Sequence, residues 1–400
     1  MKTIILKFDR YELQDFFLAS ILYGVMVAVL IALLPAYTNT IIFYMSCMYL
    51  VVAFCVIAES FDGKKGYKTF VFFAFLVLFF VFAFRDGNAI DDRHYKSMLQ
   101  LVAENGWFNQ FIRLYGEPAY LIILQFISFF TDDYFWVQIV TAALPLLIML
   151  KSFIDYRDYI SSPVAIYAFI TTFYFQMVST NLSRMFFAIS IVFYSIRYLI
   201  NKELKKYFIA ILFATLFHYS AIFMLIFAYL CIDKINKRFW TKFIYISVPV
   251  LFFVVGQFIA PMMGQKYNMY TEMGAASVST LIGCLDTLPL VLIFLYFSQF
   301  IRGENGEVNS LYMIHSIYGS SIIIQISSLF FYLGRVSYYI DMVFIYGVGY
   351  IYKRITSPIM KSAFIALIVV YGIIYLYITQ FSLSSHAEVL FPYENIFFSK

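Results

Sequence analysis

The stretch "TFVFFAFLVLFFVFAF" (69–84), followed by "RDGNAIDDRHY" (85–95), joins a long apolar run to a dense group of charged residues. The first part is continuously apolar and suits a helix crossing a hydrocarbon core of about 30 Å. The second part places a crowd of charged or titratable side chains directly after that helix: Arg85, Asp86, Asp91, Asp92, Arg93 and His94. One interpretation is a solvated loop, and the other is a site for an anionic substrate.

The composition extends the first feature to the whole chain. Its 400 residues are 63% hydrophobic and 13% charged, whereas soluble domains carry about 25% charged residues. The apolar runs are continuous rather than alternating, which predicts helices and argues against a membrane barrel. No polar block is long enough for a soluble domain. We therefore predict an all-α polytopic membrane protein with a single membrane-embedded domain over residues 1–400.

Hydropathy predicts about 11–13 transmembrane helices, including one or two re-entrant segments. The full crossings are predicted at 16–35, 40–58, 69–84, 134–151, 164–180, 184–200, 243–263, 281–300, 311–332, 335–352 and 359–381. Two further segments are irregular. Residues 118–130 are too short to cross comfortably, and residues 207–231 join two strongly basic loops. The second segment is either a re-entrant hairpin that turns near His218 or an ordinary span, and both interpretations stay open.

The basic loops predict the orientation. Residues 61–68, 201–206, 233–238 and 352–361 carry clusters of lysine and arginine, which favour the cytoplasmic side. The loop 85–117 then lies on the outer face. Several polar residues are predicted to converge there, with His218 pointing toward them from below: Arg85, Asp91, Glu117, Asn181, Arg184, Arg335 and Tyr393.

Each of these residues also has a purely structural interpretation. Arg85 stands at the end of a span, where arginines commonly reach for the interface. Asp91 follows turn-forming residues. Glu117 precedes Pro118, a pair typical of a helix start, and Asn181 suits a helix N-cap.

Taken together, the residues have a chemical logic. Guanidinium groups bind diphosphate in a fixed fork, and a nearby carboxylate could accept a proton from a hydroxyl if burial raised its pKa. This combination predicts glycosyl transfer from a lipid diphosphate. The four cysteines lack metal-ligand spacing, so we predict neither a metal nor a cofactor.

Six short motifs add a resemblance to a known family. They are "FRDGNAIDDRHY" (84–95), "GEPAY" (116–120), "NLSRMFFAIS" (181–190), "LFHYSAI" (216–222), "GRVSYY" (334–339) and "PYEN" (392–395). In this order they resemble the EpsG-like group of Wzy-type polysaccharide polymerases, from about residue 80 to the end of the chain. The resemblance places the family's pattern on Arg85, Asp91, Tyr95, Glu117, Asn181, Arg184, His218 and Arg335. Departures occur at Asp86, Ala89, Asp92 and Met185, and they put the identity of the substrate in doubt.

The resemblance implies an O-antigen or exopolysaccharide polymerase at the periplasmic face of the bacterial inner membrane. Such an enzyme transfers an undecaprenyl-diphosphate-linked glycan onto the next lipid-linked repeat unit, and its implied partners are a chain-length regulator and a flippase. We assign Asp91, Glu117 and His218 as catalytic candidates. The candidates for substrate binding are Arg85, Tyr95, Asn181, Arg184, Arg335 and Tyr393, and either Asp91, Asp92 or Glu117 is the base.

Two alternative functions remain open. A flippase or transporter of lipid-linked oligosaccharide would line a central path with charges, and Asp286 and Asp341 lie within predicted spans. An O-antigen ligase would need one dominant periplasmic loop with a catalytic histidine, which the sequence does not contain.

Overall fold

The computed structural model describes residues 10–85, 89–114, 117–234, 236–254, 288–301, 312–317, 319–320, 336–382, 390 and 393. Within these ranges the chain is helical and forms no strand. The helices are α1 Arg10–Leu33, α2 Thr38–Glu59, α3 Lys64–Ala83, α4 Asp92–Asn105, α5 Trp107–Leu114, α6 Pro118–Ser128, α7 Tyr134–Asp155, α8 Ser162–Phe169, α9 Phe175–Thr180, α10 Ser183–Ile200, α11 Leu204–Phe217, α12 Lys237–Val254, α13 Leu288–Phe297, α14 Ser337–Arg354 and α15 Pro358–Leu376.

Six helical segments of the described chain are long and apolar enough to cross a membrane: Gln14–Leu33, Pro35–Glu59, Lys64–Ala83, Tyr134–Asp155, Ser183–Ile200 and Pro358–Phe381. They confirm an all-α polytopic membrane protein. The spans predicted at 243–263, 281–300 and 311–332 extend into residues outside the described ranges. The total of 11–13 helices therefore stays a prediction.

One end of the helix bundle collects the four basic loops, and we call it the basic end. The guanidinium of Arg157 donates to the carbonyl of Phe61, and the ammonium of Lys353 donates to the carbonyl of Arg157. Farther along the chain, Lys202 Nζ lies 2.5 Å from Asp233 Oδ1. Helix polarity places Arg85, which follows α3, and Ser183, which begins α10, at the opposite end, which we call the site end.

The two irregular segments differ from ordinary spans. Helix α6 has only 11 residues. Helix α11 ends at Phe217, His218 is extended (φ −156°, ψ 117°), and a 3-10 segment, Tyr219–Cys231, follows. The Tyr207 hydroxyl donates to the carbonyl of Met224 over 2.6 Å, so the 3-10 segment folds back along α11 and no continuous helix covers 207–230. Its re-entry into the membrane stays a prediction.

Helix α10 packs against both α7 and α11 and therefore lies between these two helices near the site. It is rich in buried apolar side chains, and two of its serines satisfy their hydroxyls on its own backbone, Ser190 on Phe187 and Ser195 on Val192. A polar side chain bonded in this way costs little to bury. The hydroxyl of Ser183, in the first turn at the site end, donates instead to the side chain of Asn181.

Candidate functional site

The charged stretch after α3 is organised by one buried carboxylate, Asp92, whose side chain is 1% exposed. Arg85 Nη2 lies 3.4 Å from Asp92 Oδ1, and the Tyr134 hydroxyl donates to the same oxygen over 2.8 Å. The amide of Ala89 donates to the other oxygen, Oδ2, over 2.8 Å. Asp92 therefore ties the loop after α3 to the start of α7.

Arg85 has further partners at its own helix end. Its Nη1 donates to the carbonyl of Phe82 over 2.9 Å, and its guanidinium carbon lies 4.5 Å from the centroid of the Phe82 ring. The side chain of Gln138 on α7 donates to the Arg85 carbonyl over 2.8 Å. This arginine is thus bound mainly within the protein.

Asn181 connects this network to α10. It has a left-handed backbone (φ 54°, ψ 51°) between α9 and α10, and asparagine is one of the few non-glycine residues that adopt this conformation readily. Its side-chain amide donates to Asp92 Oδ1 and, over 2.7 Å, to the Tyr134 oxygen. The N-cap residue of α10 is Leu182 and not Asn181, so the N-cap interpretation of Asn181 is wrong. Asn181 orients the turn that starts α10.

A second carboxylate, Glu117, forms a different cluster at the start of α6. It occupies the N-cap position before Pro118, as the sequence predicts. Glu117 Oε2 lies 2.5 Å from Arg184 Nη1 in the first turn of α10, and Oε1 lies 2.9 Å from Nδ1 of His218 at the end of α11. Three elements that are far apart in sequence therefore meet at one carboxylate.

Tyr95 forms one wall of this second cluster. The Arg184 guanidinium carbon lies 5.6 Å from the centroid of the Tyr95 ring, and Arg184 Nε lies 3.5 Å from the Tyr95 oxygen. Burial raises the pKa of Tyr95, although Arg184 opposes that effect. The tyrosine therefore stays neutral at physiological pH and contributes a flat face and a hydroxyl.

The environment of Glu117 sets its charge. Burial alone would raise the pKa of Glu117, but Arg184 and His218 outweigh burial and hold that pKa at about 2. The carboxylate is consequently ionised near neutral pH. This outcome contradicts the expectation that burial tunes the base toward neutrality, because the neighbouring guanidinium dominates.

Of the remaining predicted residues, Asp91 lies beside the second cluster, where its charge helps to raise the pKa of Tyr95. Asp91 precedes α4, and its amide donates to the carbonyl of Thr180 over 3.1 Å; its side chain is half-buried. The Tyr393 hydroxyl donates to the carbonyl of Val81 over 3.3 Å, and its ring stacks on Phe43 at 4.6 Å. Arg335, like Asp86 and Asp286, lies outside the described residues.

Sequence reasoning missed Tyr134 and the position of Asp92 in the first network. The sequence names Asp92 as a candidate for the base and as a departure from the family pattern, whereas the structure makes it the acceptor for Arg85 and Asn181. Its position at the first residue of α4, one helical turn before the buried Tyr95, is the only signal that indicates an inward direction. Tyr134 begins an apolar helix and has no such signal.

The two clusters contain no metal-ligand set: within the described ranges no group of three or more His, Cys, Asp or Glu residues could hold a metal ion. A family model described as the EpsG family matches residues 68–395. The chain belongs to the EpsG family.

This membership covers most of the chain and includes every residue of both clusters. The EpsG family is a Wzy-type polymerase-like family, and membership indicates a polysaccharide polymerase-like role in a multi-pass membrane protein. Neither a curated protein nor a solved structure matches the chain.

Proposed function

We propose that this EpsG-family protein is a polysaccharide polymerase of the bacterial inner membrane. It transfers a growing glycan from undecaprenyl diphosphate onto the next lipid-linked repeat unit at the periplasmic face. The observation that carries this proposal is the meeting of Arg184, Glu117 and His218 at one end of the helix bundle, opposite the basic loops. By the positive-inside rule, the basic end is cytoplasmic and the site end is periplasmic.

His218 is the proposed general base. Glu117 accepts from Nδ1, so the imidazole is held with Nε2 free to receive a proton from an acceptor hydroxyl. A carboxylate that orients an imidazole in this way also stabilises the imidazolium that forms. The low pKa of Glu117 suits this orienting role better than the role of base.

The reaction is a substitution at the anomeric carbon of the donor glycan. The acceptor oxygen forms a bond to that carbon as its proton passes to His218. The bond between that carbon and the diphosphate oxygen breaks, and undecaprenyl diphosphate leaves with the bonding electron pair. Arg184 offsets the charge that develops on the leaving group.

Arg184 links substrate binding to the charge state of the cluster. A diphosphate that binds its guanidinium competes with Glu117 for the same donors. As the carboxylate loses that partner, its hydrogen bond from Nδ1 of His218 becomes its main interaction, and the carboxylate is better able to stabilise the imidazolium that forms during the reaction. Binding of the donor and activation of the base are coupled in this arrangement.

Reconstitution tests the proposal. The purified protein in vesicles is given lipid-linked repeat units, and the products are separated by length while released undecaprenyl diphosphate is quantified. We expect longer glycans and one released lipid diphosphate for each linkage formed. Movement of intact repeat units between leaflets without chain growth would identify a flippase, and transfer to a lipid A core alone would identify a ligase. A chain-length regulator and a flippase are the partners proposed for the cell, and this assay needs neither.

A further inference from the structure

An open apolar groove lies on the surface of the bundle between α7 and α11, with α10 as its floor. The floor includes the buried side chains of Phe187 and Ile191. Leu147 of α7 and Phe213 of α11 form the walls, and each is 51% exposed. The groove has a volume of about 690 Å³. It is large enough for a lipid chain, and it opens sideways from the bundle.

The groove begins directly beside the Glu117 cluster. Its lining includes Ile123 of α6, Phe187 of α10 and Phe217 at the end of α11, so the elements that carry Glu117, Arg184 and His218 also form this end. Phe187 follows Arg184 by one helical turn, and Phe217 is the neighbour of His218. Their rings stack with centroids 4.8 Å apart and planes inclined by 8°. This aromatic pair separates the charged cluster from the groove.

The other end of the groove is polar. Lys151, Tyr194, Tyr198 and Lys206 line it near the basic end of the bundle. From Phe217 to Lys206 the helix extends about 17 Å, which is more than half of a hydrocarbon core of about 30 Å. The groove therefore runs along the membrane normal, with an ionic cluster at one end and an interfacial rim at the other.

We propose that this groove binds the polyprenyl chain of the lipid diphosphate donor; the inference rests on the proposed function. In such a lipid the diphosphate is attached directly to the chain. A diphosphate held by Arg184 therefore positions the first isoprene units at Phe187 and Phe217, where the groove begins. Binding of the polyprenyl chain in the groove fixes the position of the donor along the bundle, so that the anomeric carbon faces His218.

Helix α11 provides its own control for a test of the groove. Phe213 lines the groove and is 51% exposed, whereas Leu216 is 43% exposed and lies outside the lining. A photoreactive benzophenone amino acid is introduced at each position in the full-length protein in nanodiscs. The probe is radiolabelled undecaprenyl diphosphate without sugars, whose binding is measured separately on the unmodified protein.

We expect the label to accumulate several-fold more at position 213 than at position 216. Unlabelled undecaprenyl diphosphate should abolish the difference, and phosphatidylglycerol at the same concentration should not. In Arg184→Ala, labelling at position 213 should fall to that at position 216. Equal labelling at both positions despite probe binding, or equal competition by phosphatidylglycerol, overturns the groove and leaves the proposed function standing. Absence of probe binding overturns both.

A pair of tryptophan variants tests the same inference by activity. Ala210→Trp fills the groove, while Leu212→Trp adds the same ring on α11 outside the lining. Because each CH₂ group removed from an apolar contact weakens binding measurably, we expect Ala210→Trp to raise KM for the full-length donor by about tenfold. KM for a short-chain analogue should not change, nor should either KM in Leu212→Trp. An equal effect of Ala210→Trp on both donors contradicts the groove.

Discussion

The two arginine–carboxylate pairs at the site end have the same chemistry and different surroundings. Asp92 accepts bonds from Arg85, Tyr134, Asn181 and the Ala89 amide, and its side chain is 1% exposed. Glu117 binds Arg184 and His218, whose side chains are 14% and 17% exposed. A carboxylate that accepts four hydrogen bonds within the protein is suited to holding a fold. One whose two partners keep some solvent exposure is better placed to meet a substrate.

The difference assigns separate roles. The Asp92 network sets the backbone at Asn181, and that turn determines where Ser183 and Arg184 begin α10. The Glu117 cluster then uses Arg184 for the proposed chemistry. Damage to the first pair should mainly reduce the amount of folded protein, whereas damage to the second should also lower the activity of each folded molecule.

The largest expected effect is on turnover. Loss of a general base costs about 10²- to 10⁴-fold in rate, so His218→Ala should lower the rate of glycan transfer by that factor without lowering the melting temperature appreciably. His315→Ala, at a half-buried histidine remote from both clusters, is the matched control and should retain the rate.

The next effect concerns folding. Removing one partner of a buried ion pair costs about 3–5 kcal/mol, and Asp92→Ala removes the carboxylate that lies 3.4 Å from the buried Arg85 guanidinium. We expect the free energy of unfolding in detergent to fall by that amount. Glu104→Gln, at an exposed residue of the same helix α4, should change it by less than about 0.5 kcal/mol. A stable Asp92→Ala protein would show that the network does not support the fold.

A comparable effect should follow acidification. The folded pKa of Glu117 is about 2, below its ordinary value, so its contribution to stability is fully present above about pH 4.5 and is lost as the pH falls toward 2. That contribution is about 3 kcal/mol by linkage. The melting temperature of the wild type should fall across this window, and the difference between wild type and Glu117→Gln should shrink there. A difference that does not change with pH would contradict the ion pair.

The smallest effect is expected at Tyr134. Tyr134→Phe removes the hydroxyl that donates to Asp92 and accepts from Asn181, while the ring stays in place. Loss of these two hydrogen bonds, at about 1 kcal/mol each, costs about 2 kcal/mol, which a chemical denaturation series resolves. Turnover per folded molecule should be close to that of the wild type. A large loss of turnover would move Tyr134 into the reaction centre.

The comparison also shows what the sequence could predict. Continuous apolar runs predicted the spans because a helix satisfies its own backbone hydrogen bonds inside a membrane, and a long apolar run is visible in the sequence. The sequence did not predict which of Asp91 and Asp92 faces Arg85, since neighbouring loop residues differ only in the direction of their side chains. The first turn of α4 and the amide of Ala89 set that direction for Asp92. The family pattern indicated Asp91, and the geometry places Asp92 on Arg85.

For the second cluster the sequence named the members and could not give their arrangement. Glu117, Arg184 and His218 were all candidates because of their family resemblance. The extended backbone that ends α11 turns Nδ1 of His218 toward Glu117. The low pKa of Glu117 depends on Arg184, whose Nη1 lies 2.5 Å from the carboxylate. Packing among α6, α10 and α11 decides both, and it leaves no periodic signature.

The central claim is that the Glu117 cluster is the reaction centre of a polysaccharide polymerase and that the Asp92 network supports it. The most direct test is the single-turnover rate of glycan transfer by reconstituted Glu117→Gln, normalised to folded protein. We predict a loss of at least about 10²-fold per folded molecule near neutral pH. Transfer at the wild-type rate by folded Glu117→Gln protein would contradict the account.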